Sequence, residues 1–245
     1  MHFVFLAAGK GSRIFKKINT NKCLIKIFDK SLIERLIRNI PIKRRKNITI
    51  LTGFNSKTIL SETKRFNVNY IHNPKYNRTE MVETLRLALD KINDDIVFSY
   101  SDILYDQNII VKILKKKITS ITVPVNTNWK KIWRIREKPI YEDAETLIIK
   151  KNLISEIGEK INKPNHVDGQ FMGLIIIPKL LRKKILDTLN EKKYKKYQTT
   201  KFLNSLIKLG FKVKPIKCNE HWYEFDDWDD YKNYLKNFKK LYGNR

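Results

Sequence analysis

Residues 3–15 read FVFLAAGKGSRIF: an apolar run passes without a break into a loop carrying Gly9, Gly11, Ser12 and Arg13. The run is too continuous for a half-exposed strand and predicts a buried β-strand over 2–8. Two glycines directly after it permit positive φ and let backbone N–H groups approach an anion closely. Arg13 adds a permanently charged, bidentate donor. A plain tight turn and a phosphate cradle both fit these residues. The spacing is neither G-x-G-x-x-G, because position 14 is Ile, nor G-x-x-x-x-G-K-[ST].

The pattern outward from this stretch alternates strands and helices. Leu32, Ile33, Leu36, Ile37 and Ile40 recur at helical spacing and predict a helix over about 30–40, stopped by Pro41. NITILTG (47–53) and VNYIHNP (68–74) predict strands, and TEMVETLRLALDKI (79–92) an amphipathic helix with Thr79 as its N-cap. DIVFSYSD (95–102) predicts a fourth strand that ends on an acid, followed by a helix near 106–116 and the strand SITVPV (120–125). This order predicts an α/β fold with a mostly parallel sheet. Residues 126–173 hold short strand-like pieces, among them TLIIK, LISEIG and QFMGLIII, and predict a β-rich insertion or lid. Helices follow near 178–190 and 198–209, then the strand FKVKPIKC (211–218), an acid cluster, and a closing helix over 229–245. With no linker, repeat or low-complexity tract, the expectation is a single domain over 1–245.

The formal net charge of +26 suits polyanionic partners. The basic runs, such as 43–46, 115–117 and 192–196, are scattered over the whole length and form no single stripe interleaved with aromatics. That favours a solvated basic surface over a dedicated nucleic-acid interface. No apolar run approaches the roughly 20 residues of a membrane span, and the first apolar run lacks a basic leader, so the expected location is the cytoplasm. Cys23 and Cys218 are the only cysteines, far apart and without metal-ligand spacing, which argues against a zinc site. His2, His72, His166 and His221 show no triad or metal spacing.

Ligands of an open α/β sheet bind beyond the carboxyl ends of the strands. The Gly loop belongs there, and so does Asp102, a carboxylate suited to the Mg²⁺ that accompanies nucleotide phosphates. Lys22, in NKCLIKI, is a candidate mobile point charge for phosphate. In WYEFDDWDDY (222–231), Glu224 and Asp226 alternate and face one way, which offers Asp226 as a second carboxylate for the same metal. Asp227, Asp229 and Asp230 suit the cap and first turn of the following helix.

LAAGKGSR, NKCLIKI, YSD at a strand end and YEFDDWDDY occur in the order seen in the nucleotidyltransferases of the sugar-nucleotide and phosphocholine cytidylyltransferase type, and the chain resembles them from about 3 to 235. NTNWKKIWRIREKPIYEDAETL, ISEIGEK and VDGQFMGL look closer to the phosphocholine-cytidylyltransferase-like branch. The resemblance implies a three-layer, Rossmann-like fold of the nucleotide-diphospho-sugar transferase type, with 126–173 forming a lid that binds the acceptor. It implies a Mg²⁺-dependent transfer of a nucleoside monophosphate, CMP from CTP, to a small phosphorylated or phosphonate acceptor such as phosphocholine, 2-aminoethylphosphonate or a phosphorylated amino acid. Arg13 and Lys22 would be catalytic, and Asp102 and Asp226 would hold Mg²⁺. Leu6, Ala7, Ala8, Gly9, Gly11, Ser12, Thr79 and Glu80 would bind the nucleotide. Trp129, Arg136, Glu145, Glu156, Lys160, Gln170 and Gly173 would line the acceptor pocket. Two residues depart from the pattern: Asn21 stands where Pro is usual, and Glu80 where Asn is expected.

The aromatics Trp129, Trp133, Tyr141 and Phe171, mixed with Glu142, Asp143, Glu145 and Asp168, suit a cationic amine as well as ordinary lid packing. A second enzyme reading fits the same motifs, a sugar-1-phosphate nucleotidyltransferase using UTP, dTTP or GTP, and so does a degenerate nucleotide sensor with the same fold. Outside enzymes, a basic nucleic-acid-binding protein fits the charge. The enzyme reading expects nucleoside triphosphate and small acceptor as partners, no specific nucleic acid, and a homodimer as an open option.

Overall fold

The computed structural model describes residues 1–137, 139, 144–161 and 167–242. In chain order the elements are β1 (His2–Ala7), α1 (Ser12–Ile18), the short hairpin β2 (Lys26–Ile27) and β3 (Lys30–Ser31), α2 (Leu32–Asn39), β4 (Ile48–Thr52), α3 (Ser56–Thr63), β5 (Asn69–His72), α4 (Met81–Lys91), β6 (Ile96–Tyr100), β7 (Ile103–Tyr105), α5 (Gln107–Leu114) and β8 (Ile121–Asn126). Then come α6 (Trp129–Arg136), β9 (Glu145–Lys150), β10 (Leu153–Lys160), β11 (Gln170–Phe171), β12 (Leu174–Ile177), α7 (Arg182–Leu189), α8 (Thr199–Lys208), β13 (Val213–Cys218), β14 (Trp222–Glu224) and α9 (Trp228–Tyr242).

Continuous apolar runs become central strands here because the sheet is covered on both faces. Along β1, Phe3, Phe5 and Ala7 join the apolar core on one face, and Val4 joins the core on the other. The first core is closed by α2, α5, α6 and α9; the second by α4, α7 and α8. The central sheet runs β11-β8-β12-β6-β1-β4-β5, with β13 added alongside β8. β1, β4, β5 and β6 are mutually parallel, β13 runs parallel to β8, and β12 is antiparallel to both β6 and β8. The sheet is therefore mixed and mostly parallel, as the alternation predicts.

This topology fixes where a ligand goes. From β1 the chain builds outward to β4 and β5, then α4 carries it back across to β6 on the other side of β1. The strand order reverses between β1 and β6, and such a switch point opens a crevice at the carboxyl ends of the strands. The Ser101 hydroxyl donates to the Leu6 carbonyl at 2.6 Å and ties the two strand ends together.

Two local expectations need correction. Residues 126–173 are not β-rich throughout: α6 heads the segment, with Trp129, Ile132, Trp133 and Arg136 all buried on one helical face. Strands β11 and β12 belong to the central sheet, which leaves β9–β10 as the separate hairpin. Thr79 is not the N-cap of α4. The helix starts after Glu80, and the Thr79 hydroxyl instead donates to the Lys75 carbonyl at 2.8 Å. Tyr141, Glu142, Asp143 and His166 lie outside the described residues.

Candidate active site

A cavity of about 680 Å³ opens at the switch point. The loop after β1 forms one wall. Gly11 has φ +62°, and a Cβ there would lie 2.6 Å from Cγ of Lys22. A side chain at 11 would be strained and would also collide with the lysine stem. The loop thus holds Lys22 by close packing, and residues 22–24 form a single turn that carries the lysine under it.

The Lys22 ammonium lies 3.1 Å from Asp102 Oδ2 and 3.4 Å from Asp226 Oδ1. Burial pulls the ammonium toward neutrality, but Asp102 and Asp226 outweigh it and the pKa rises. Lys22 therefore stays a cation at neutral pH. Arg13 reaches the same Asp226 Oδ1 at 3.0 Å from the surface, with its side chain 65% exposed. An ion pair so exposed contributes little to stability, so Arg13 can leave it for a stronger anion at small cost. On the other side, Arg136 donates to Asp226 Oδ2 at 3.2 Å. Glu224, on β14, also faces the cavity. Desolvation, reinforced by Asp226 and Asp102, holds its carboxyl well above the usual carboxylate range.

A second hydrogen-bonded network lines the same cavity. The Gln170 side-chain amide donates to the Glu145 carbonyl at 2.8 Å, and its Oε1 accepts from the Glu145 N–H at 3.4 Å. The Thr200 hydroxyl donates to Glu145 Oε1 at 3.3 Å. Tyr100 and Phe171 pack edge to face, 5.7 Å between ring centres, and both border the cavity. Lys10, Arg78 and Lys196 add cationic lining to that of Arg13, Lys22 and Arg136. The cavity can thus hold a polyanion while keeping carboxylates within it.

Asp102 and Asp226 are hard oxygen donors, and a cationic nitrogen already lies against both. That donor set fits a small divalent ion whose remaining positions are taken by phosphate oxygens and water. Among the described residues no cluster of three or more His, Cys, Asp or Glu forms an all-protein metal cage.

A model of the MobA-like NTP transferase domain family matches residues 3–198. The chain belongs to this family. Its matched part takes in the Gly loop, Lys22 and Asp102, while Glu224 and Asp226 lie beyond it. Over nearly full length the chain is similar to a CTP:phosphoglutamine cytidylyltransferase of Campylobacter jejuni, 27% identical over 249 residues that cover 94% of this chain and 97% of that protein. Two solved structures share the fold. The CTP:phosphocholine cytidylyltransferase of Streptococcus pneumoniae matches at TM-score 0.71 and 19% identity, covering 97% of this chain and 99% of that one. The inositol-1-phosphate CTP transferase of T. maritima matches at TM-score 0.74 and 16% identity, covering 98% and 96%.

The NTP transferase cavity gathers most, not all, of the residues singled out in the sequence. Leu6, Ala7, Ala8, Gly9, Gly11, Ser12, Arg13, Lys22, Thr79, Glu80, Asp102, Arg136, Glu145, Gln170 and Asp226 line it. Trp129 does not: it is buried against Trp133, 5.6 Å between ring centres, and serves the core. Glu156 and Lys160 lie on β10, away from the cavity lining. Gly173 is also outside the lining. At φ +75°, with a Cβ position 3.0 Å from the Tyr100 ring, it is the backing against which Tyr100 packs. Arg136 borders the cavity, but its guanidinium is turned to Asp226 and Asp230. The sequence reading missed Tyr100, Arg78, Lys196 and Thr200 as lining. Arg78 follows β5 at the carboxyl edge of the sheet, where the end-of-strand rule could have found it. Lys196 and Thr200 sit among ordinary lysines and threonines, with no local signal.

Proposed function

We propose that the protein is a Mg²⁺-dependent, CTP-using cytidylyltransferase whose acceptor is a small phosphorylated amino acid of the phosphoglutamine kind. The observation that carries this reading is the Lys22 ammonium held between Asp102 and Asp226 at the switch point. The likeness to the Campylobacter jejuni protein supports the base and the acceptor class.

The reaction brings two anions together, so its main obstacle is charge repulsion. An acceptor phosphate oxygen, already ionised at neutral pH, attacks the α-phosphorus of CTP in line. A new P–O bond forms, the bond from the α-phosphorus to the β-bridging oxygen breaks, and pyrophosphate leaves with the electron pair. No general base and no covalent enzyme intermediate is required. Lys22 gives its charge to the α-phosphate, and Arg13 binds the β- and γ-phosphates and then the departing pyrophosphate. Asp102 and Asp226 would hold Mg²⁺, which when bound supplies further neutralisation of the triphosphate. Leu6, Ala7, Ala8, Gly9, Gly11 and Ser12 cradle the nucleotide, with Thr79 and Glu80 at the base; the Glu80 carboxylate suits the cytosine amino group as acceptor. Glu145 attracts the amino group of the amino acid, and Tyr100 and Phe171 offer it aromatic faces.

Pyrophosphate release tests this directly. CTP, UTP, ATP, GTP and dTTP are each paired with phosphoglutamine, phosphocholine, 2-aminoethylphosphonate and a set of sugar-1-phosphates. Release is expected with CTP and the phosphorylated amino acid. Release confined to UTP, dTTP or GTP with a sugar-1-phosphate would replace the proposal.

A further inference from the structure

Arg136 borders the cavity, and an acceptor contact is the role the family resemblance implies for it. Its surroundings give it a different one. The side chain is 1% exposed, and its partner Asp230 is fully buried. Arg136 Nε donates to Asp230 Oδ1 at 2.9 Å, and Nη2 donates both to Asp230 Oδ2 at 3.1 Å and to Asp226 Oδ2 at 3.2 Å. The guanidinium also lies over the Trp133 ring, 4.9 Å from its centre. Asp230 is fixed in turn. Its Oδ2 accepts from the N–H groups of Asp226 at 2.8 Å and Asp227 at 3.3 Å, while its own N–H donates to Asp227 Oδ1 at 3.0 Å. This is a reciprocal cap at the start of α9, made entirely of aspartates.

The two oxygens of Asp226 consequently have separate surroundings. Oδ2 is held from behind by Arg136, and the backbone N–H of the same residue is held by Asp230. Oδ1 faces Arg13 and Lys22. We propose that Arg136, braced by Asp230, is a positioning residue that orients the Asp226 carboxylate so that Oδ1 is presented to the metal, and that it does not bind the acceptor. The proposal rests on the reading of Asp226 as a metal carboxylate. Partners that orient a metal-binding side chain change metal affinity by about 10- to 100-fold when removed.

The test compares wild type with Arg136→Gln, Arg136→Lys, Asp230→Asn and Asp226→Asn, each checked for folding by thermal melting. Two quantities are read: the affinity for Mn²⁺ in the presence of a non-hydrolysable CTP analogue, by electron paramagnetic resonance of free Mn²⁺, and the acceptor KM. Arg136→Gln is expected to weaken Mn²⁺ by about tenfold or more and to leave the acceptor KM within about twofold, with Arg136→Lys recovering part of the loss. If Arg136→Gln does not fold, Asp230→Asn, which keeps the side-chain shape, gives the same reading. A tenfold rise in acceptor KM with Mn²⁺ affinity unchanged would overturn the proposal and restore an acceptor contact. Unchanged values of both in folded Arg136→Gln would overturn it as well, leaving a structural role. If Asp226→Asn leaves Mn²⁺ affinity intact, the metal reading of Asp226 is what has failed.

Discussion

Asp102, Asp226, Lys22, Arg13 and Arg136 form one network in the cavity, and Glu145, Gln170 and Thr200 form another, and the two are held by different physics. The first is ionic and braced from behind by a fully buried Arg136–Asp230 pair. The second ties the Glu145 backbone to the Gln170 amide and the Glu145 carboxylate to the Thr200 hydroxyl, from a hairpin, a sheet strand and a helix. A transfer between two anions needs charges that do not move, whereas the acceptor end needs only selective contacts. The networks therefore differ in what breaking them costs.

The largest effect is expected at the brace. Asp230→Ala leaves the Arg136 guanidinium buried without its main partner and removes a cap from α9, and chemical denaturation should show a loss of about 3–5 kcal/mol. Lys22→Met should fold and lose about 10²- to 10³-fold in turnover, the scale of removing one preorganised electrostatic contact to a transition state. Behind the charged network, His221 packs beside Tyr234 of α9, with ring centres 6.0 Å apart, and burial lowers its pKa to about 4. The unfolded chain binds this proton near pH 6.5, so stability is present above that value and falls as the pH drops toward 4. The slope approaches 1.4 kcal/mol per pH unit, and His221→Gln should flatten it in melts at pH 7, 6 and 5. The smallest effect is expected in the second network. Thr200→Val removes one hydrogen bond to Glu145, and a rise of about three- to tenfold in acceptor KM is expected, with the Mg²⁺ requirement unaltered. An equal effect of Thr200→Val and Lys22→Met on turnover would erase the distinction between the networks.

The same contrast governs what could be read from the chain. Gly9, Gly11, Arg13 and Asp102 sit at the ends of buried strands, and the topology that places strand ends together is set by local patterns of apolar residues. Asp226 was legible through its alternation with Glu224. The role of Arg136 was not, because its partners are 90 and 94 residues away and nothing in its neighbours announces them. The α6 helix carried a usable signal, since positions 129, 132, 133 and 136 repeat at helical spacing, but the turn residues before it and the strand-like pieces after it obscured the period. Trp129 looked like an aromatic for a cationic ligand. Its place in the core follows from edge-to-face packing on Trp133, which in turn stacks on Trp222 of a strand far along the chain. Glu156 and Lys160 show the limit most plainly: the strand was anticipated, but its placement away from the cavity lining depends on tertiary packing.

The most direct test of the account is the rate of pyrophosphate release from CTP and phosphoglutamine by wild type, Asp102→Asn and Asp226→Asn at saturating Mg²⁺, with thermal melts confirming the fold of each. The account predicts steady release by wild type and a loss of about 10²-fold or more in both variants. Release by both variants at the wild-type rate would contradict it, and would move the reaction centre away from the carboxylates that hold Lys22.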